Sequence, residues 1–335
     1  MNKQRENWVD IVKGIGIILV VMGHAGCPVL PHGIIYSFHM PLFFFLSGLF
    51  INRQCEKDFC TYVKKNFRSL LLPYFYFNIL SIIFYYIMSS IFHKELLLGS
   101  VQDNLIGIFV GMRFGSPYHH LLWFLPCLFF AKIIVYPMIK LFQKRLEWVK
   151  LMLSSIALVI GLTYSSCATK PLPLSFDASL VAAFFIVLGD YYMKTKAVIN
   201  KYVGKYWNVV LILVALSIIY NFNKVEMFNM TYGNWGLFLL GSLSIILLIC
   251  YFCGRILYCN KFWRFVMDYG RFSLLVFATH NYCLFVPITM KNRLLPSSSL
   301  WQDYIYWVVS IIICLMLVLP ISKLINNKAK WLIGK

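Results

Sequence analysis

The chain has 335 residues, of which 60% are hydrophobic, 18% aromatic and only 13% charged, whereas an ordinary soluble domain is roughly 45–50% apolar and about 25% charged. With a mean hydropathy of +0.74, this balance excludes disordered, collagenous and solenoid-repeat classes and makes a bilayer, not water, the main solvent. The net charge of +19, from 31 Lys and Arg against 12 Asp and Glu, does not point to nucleic acid, because such binders gather basic residues on one solvated face. Here long apolar runs separate the basic residues, as in membrane proteins whose cytoplasmic loops collect Lys and Arg against anionic lipid.

A transmembrane helix needs about 20 apolar residues. In chain order the sequence predicts ten spans, at 8–27, 34–52, 69–92, 119–142, 151–167, 178–193, 207–223, 234–254, 271–290 and 302–325. Lys3 and Arg5 ahead of the first span resemble a signal peptide, but Gly26-Cys27-Pro28 is not a small-x-small cleavage site, so the segment is expected to stay as a transmembrane helix. With the N-terminus cytoplasmic, 23 of the Lys and Arg residues fall inside, six outside, and Lys13 and Lys132 within spans. That asymmetry predicts an all-α polytopic membrane protein of about ten helices with both termini cytoplasmic. The inner loops are short, so the expectation is one integral-membrane domain over 1–335 with its chemistry inside the bundle. The connection 93–118 carries an apolar stretch, Leu105–Met112, read as a short re-entrant or interfacial helix. No repeat or low-complexity segment is present.

Of ten cysteines, Cys27, Cys127, Cys250, Cys253, Cys283 and Cys314 lie inside apolar runs, which reads as small lipid- or core-facing residues. Cys250-Tyr-Phe-Cys253 has the spacing of half a zinc site but no matching pair follows, and adjacent His119 and His120 diverge by 100° on a helix, so no metal is expected.

The informative residues are the polar ones inside spans. In the first, Lys13 and His24 are eleven residues apart, which turns 20° past three full turns and separates them by about 16 Å along one face. Asp10 sits one turn before Lys13, and Gly14, Gly16 and Gly23 thin the helix for close approach by a neighbouring helix or a substrate. Ionisable groups in spans usually face a functional cavity; the plainer alternative is a snorkelling Lys13 and a His24 satisfied near a helix end. The second span begins at His39, near His24 in depth, and His24, His32, His39, His93, His119 and His120 all fall toward the outer half, with His280 near mid-depth. An outer vestibule of imidazoles suits proton removal from a hydroxyl near neutral pH, although His32, His93 and His119 equally suit helix caps or headgroup contacts. On the inner side Lys64-Lys65-Asn-Phe-Arg68 enters the third span, where it suits phosphate, or simply orients the chain. Carboxylates are nearly absent from the spans, Asp190 and Asp10 lying near inner ends, which argues against an ion-driven carrier.

These residues carry a family resemblance. Asp10-Ile-Val-Lys13-Gly through Gly23-His24 resembles the Arg/Lys-x10-His signature of the membrane-bound acyltransferase 3 family. Phe38-His-Met-Pro-Leu-Phe-Phe-Phe-Leu-Ser-Gly is most similar to its fucose 4-O-acetylase branch, and His120-Leu-Leu-Trp123 and Gly270-Arg-Phe-Ser273-Leu…His280 match in order and approximate spacing. The resemblance implies transfer of an acyl group, usually acetyl, from cytoplasmic acetyl-CoA to a hydroxyl of a cell-surface or secreted glycan, which includes a lipid-linked one. It implies His24 as the catalytic base or acyl carrier and Lys13 as its basic partner, with Asp10 one turn before Lys13 to orient it. Lys13, Lys65 and Arg68 would hold the donor's phosphates, and His39, His120, Trp123, Ser273 and His280 would line the acceptor. Where the family has Arg-x-x-Arg, this chain has Lys65-x-x-Arg68, which keeps the charge and loses one fork-shaped guanidinium. The resemblance places the chain in the cell membrane. Two other readings stay open: a polyprenyl-linked sugar flippase or exporter, and a succinyltransferase of the same fold. Trp123, Tyr118, Trp235 and Trp301 near outer ends suit sugar stacking or an interfacial aromatic belt.

Overall fold

The computed structural model describes residues 6–92, 100–110, 120–142, 146–168, 170–256, 260–294 and 299–334. Almost all of them are helical, in α1 (Asn7–His24), α2 (Val29–Tyr36), α3 (His39–Gly48), α4 (Ile51–Cys55), α5 (Phe59–Asn66), α6 (Leu72–Phe92), α7 (Val101–Val110), α8 (Phe124–Leu141), α9 (Glu147–Cys167), α10 (Phe176–Lys205), α11 (Trp207–Asn221), α12 (Trp235–Cys253), α13 (Lys261–Arg271), α14 (Ser273–Leu294) and α15 (Leu300–Lys328). The strands among the described residues are two short ones, Val225–Glu226 and Thr231–Tyr232.

Nine helical stretches among the described residues are long and apolar enough to cross a membrane, and the chain is a polytopic membrane protein. They fall at nine of the ten expected places. The span expected at 207–223 forms α11, which has 15 residues and a length of about 22 Å, short of the roughly 30 Å hydrocarbon core. Boundaries move where local chemistry overrides hydropathy. The first helix stops at His24, before Gly26 in a left-handed conformation at φ 76° and Pro28. The second span starts at Val29 and breaks between Tyr36 and His39. The third begins ten residues early, at Phe59, because Asp58 caps α5 by accepting from the Thr61 amide at 2.8 Å. That hydrogen bond holds the Asp58 carboxyl below the ordinary carboxylate range, so the cap is lost as pH falls through its lowered value. The expected re-entrant stretch is α7, with residues 111 and 112 outside the described residues. Lys291 and Arg293 belong to the last turn of α14, where they complement the helix dipole.

The contacts divide the chain into two units. In the first (Met1–Leu46, Thr195–Glu226 and Tyr232–Lys328), α1 is pressed against α13 at two glycines. A Cβ on Gly14 would collide with the Val266 carbonyl oxygen, and one on Gly270 with the Asp10 carbonyl oxygen. The two backbones therefore touch, as small-residue interfaces allow in membranes. Gly16 receives Leu42 and Phe43 of α3, and Gly23 receives the Tyr36 ring, so neighbouring elements of the chain fill the space the three glycines of α1 leave. Gly14→Leu is expected to force the helices apart and lower the melting temperature of the detergent-extracted protein by several degrees, while Gly107→Ala, whose Cβ meets open space, leaves it unchanged or raises it. A Gly14→Leu protein that melts like the parent contradicts this packing.

In the second unit (Ser47–Lys194, Met227–Thr231 and Ala329–Lys335), charged side chains join α9 to α10. The Lys150 ammonium, fully buried, lies 2.8 Å from Glu147 and 3.4 Å from Asp190, and Lys194 lies 2.6 Å from Asp190 and 2.8 Å from Glu147. Asn52 of α4 donates to Asp190. In α8, Lys132 donates to Gln54 and Asn66 at 3.2 Å each.

Candidate functional site

In the first unit the continuous helix α1 keeps Lys13 and His24 on one face, about 16 Å apart along the axis. Lys13 and His24 are both half-buried, and Asp10 is buried. At the N-terminal end of α1 the Asp10 carboxylate lies 3.6 Å from Arg271 Nε. Arg271 in turn pairs with Asp268 at 3.5 Å, and Lys323 with Asp268 at 2.8 Å. Asp10 thus has a cationic partner on α13 in addition to the expected Lys13.

At the other end of α1 the imidazoles converge. Tyr36 Oη lies 3.3 Å from His24 Nδ1. The His32 ring stacks on Tyr36 with centroids 3.8 Å apart, and the His39 ring meets Tyr36 edge-on at 4.9 Å. His39, buried, donates from Nδ1 to the Ile35 carbonyl at 2.8 Å, and His32 shares a 3.2 Å hydrogen bond with Asn223. From α14, the His280 ring comes within 5.4 Å of His24. The last turn of α1 is held to α15 by Trp307 Nε1, which donates to the Met22 carbonyl at 2.8 Å.

His24, His32 and His39 meet at Tyr36, and His280 joins them through His24, away from Asp10 and Ser273. Ser273 opens α14 beside Arg271, seven residues and about 10 Å before His280 along the helix. Lys65, Arg68, His120 and Trp123 belong to the second unit. Lys65 ends α5 and Arg68 lies in the π-helical turn Phe67–Leu71. Both are exposed, with no ion pair or side-chain hydrogen bond among the described residues. Trp123 is buried at the end of the 3₁₀ turn His120–Trp123, its ring 6.1 Å from Phe228. The side chain of His120, and His93, His119 and Tyr118 altogether, lie outside the described residues. Trp235 and Trp301 are exposed, Trp301 by 78%, as belt residues are. Cys127, Cys250, Cys253, Cys283 and Cys314 are buried and Cys27 half-buried; among the described residues no group of three or more His, Cys, Asp or Glu is placed to hold a metal.

Tyr36 was not singled out in the sequence, although His32, Tyr36 and His39 stand at i, i+4 and i+7, the spacing of one helical face. Its hydroxyl is a hydrogen-bond partner of His24 Nδ1. When Nδ1–H donates to Tyr36 Oη, the lone pair sits on Nε2, and an imidazole so oriented serves as a base or nucleophile.

The architecture is that of a polytopic membrane protein with a polar cluster of imidazoles at the end of a membrane helix. The acyltransferase 3 family model, described as an acyltransferase domain, matches residues 6–331, and the chain belongs to that family of acyltransferases. No curated protein matches the chain.

Proposed function

We propose that this protein is a plasma-membrane O-acyltransferase, a single functional domain whose termini are both cytoplasmic, which requires the short apolar helix α11 to cross as a tenth span. It moves an acyl group, acetyl in the first instance, from cytoplasmic acetyl-CoA to a hydroxyl of a cell-surface or secreted glycan. The observation that carries the reading is the His24–Tyr36 pair inside a cluster of imidazoles in a chain of this family. His24 Nε2 removes the proton of the acceptor hydroxyl as its oxygen attacks the thioester carbonyl. The C–S bond then breaks, and the departing thiolate takes the proton from His24 and leaves as the free thiol. A base so placed contributes about 10²–10⁴-fold. Lys13, on the same face of α1, is its basic partner, with Asp10 one turn away. The donor's phosphates fit the exposed Lys64, Lys65 and Arg68, three cations without a partner among the described residues, and Lys65 meets phosphate as a point charge where an arginine would be bidentate. His39 is proposed for the acceptor.

The test is incubation of the protein, reconstituted in liposomes with membrane glycan from its source cells, with [14C]acetyl-CoA. Label passing into the glycan, with release of free thiol, is the expected result; a flippase leaves acetyl-CoA intact, which refutes the reading. In the same assay Tyr36→Phe is expected to lower turnover about five- to tenfold, the effect of losing one orienting hydrogen bond of roughly 1 kcal/mol. An unchanged rate removes Tyr36 from the account.

A further inference from the structure

His280 is fully buried, yet half of its hydrogen-bonding capacity is unused. Its Nδ1–H donates to the Phe277 carbonyl at 2.8 Å and the Val276 carbonyl at 3.1 Å, one and the same nitrogen committed twice to its own helix. That fixes the tautomer, so Nε2 carries the lone pair. This Nε2 is buried without a hydrogen-bond partner. A buried acceptor left unpaired is destabilising, and such an atom beside His24 calls for a donor that arrives during the reaction.

His24 is the candidate for that donor. The two rings are 5.4 Å apart and tilted by 33°, while two imidazoles sharing one N–H···N bond of ~2.9 Å have centroids about 5 Å apart once the ring radii are added. The rings thus stand within a small adjustment of a direct bond. In the tautomer whose Nδ1–H donates to Tyr36 Oη, His24 Nε2 has no proton to give before the reaction. After it has taken the acceptor's proton, Nε2–H becomes a charged donor. The backbone holds His280 in place for this: its carbonyl oxygen also accepts from Cys314 Sγ of α15 at 3.7 Å.

On the proposed reaction, we infer that His280 is a positioning residue whose Nε2 accepts a hydrogen bond from the protonated His24 and so steadies the imidazolium between proton uptake and its return to the departing thiolate. No covalent bond to His280 forms or breaks; the proton passes from the acceptor hydroxyl to His24 Nε2 and from there to the thiolate, while Tyr36 and His280 hold the two nitrogens of His24. The arrangement resembles the third group that orients the imidazole in a hydrolytic triad, with a neutral ring in place of the carboxylate.

The test compares His280→Phe, His280→Ala and His280→Gln in membrane vesicles given [14C]acetyl-CoA, with rates per amount of protein that elutes as a monodisperse peak after detergent extraction. The Gln side chain reaches about as far as Nε2 and offers an oxygen acceptor. Expected are a turnover at least tenfold lower for Phe and Ala, an unchanged KM for acetyl-CoA, and recovery to within about threefold for Gln. Phe or Ala protein with parental turnover overturns the inference, as does Gln protein as slow as Phe protein. Should Phe or Ala protein fail to elute as a folded peak, Gln protein decides alone: at least one third of parental turnover supports the inference, and a tenfold loss overturns it. Parental protein that transfers no label refutes the acyltransferase reading itself, a separate outcome.

Discussion

His24→Ala protein is expected to accumulate in membranes at the parental level and to have lost acyl transfer, with turnover down by about 10²–10⁴-fold or more. The two halves of that expectation rest on different observations. His24 is the last residue of α1 and is half-buried, and the end of the helix is anchored independently by Trp307 on the Met22 carbonyl. Alanine therefore removes a side chain from the edge of the packing, which is a mild change for the fold. Chemically the change is severe, because the nitrogen aligned by Tyr36 disappears and neither neighbouring imidazole replaces it. His39 and His280 both donate from Nδ1 to their own helix backbones. Quantifying protein by immunoblot and label transfer from [14C]acetyl-CoA separates the two effects. Retained transfer at normal protein level removes His24 from the reaction.

The second large effect concerns stability. Asp190→Ala is expected to destabilise the protein by about 3 kcal/mol, at the lower end of the 3–5 kcal/mol for breaking a buried ion pair. The fully buried Lys150 ammonium would keep only Glu147, itself shared with Lys194 and about one third exposed. Lys150→Met is expected to be far milder, because Asp190 keeps Lys194 and the Asn52 amide. The double variant Lys150→Met/Asp190→Leu should regain most of the loss, since apolar replacement of a whole buried pair is often neutral. Thermal unfolding of the purified variants by tryptophan fluorescence checks the order. Equal melting temperatures for Asp190→Ala and Lys150→Met contradict it.

Much of the fold was legible because hydropathy reads length, and nine long apolar helices carry that signal. What hydropathy misses is polar helix. α10 runs from Phe176 to Lys205, well past the apolar window that ends at 193, because its charged part finds partners: Lys194 on Asp190, and Lys196 over the Trp8 ring at 4.0 Å. Likewise Lys150, counted from sequence as a loop residue, is a buried residue of α9. Within the site, local spacing carried Lys13 and His24, since both lie on one helix. The approach of His280 to His24 joins residues 256 positions apart and has no signature in either segment. Tyr36 lay hidden for a different reason, as a tyrosine in an apolar run reads as packing until its hydroxyl is seen beside an imidazole.

The central claim is that His24 acylates a surface glycan. Its most direct test is NMR of the glycans from source cells carrying the parental gene, its deletion, or the His24→Ala variant. The account predicts one O-acyl signal present with the parental gene and absent from both altered strains, which also identifies the sugar position and the acyl group. An O-acyl pattern unchanged by the deletion, or glycan trapped inside the cell with its acylation intact, contradicts it.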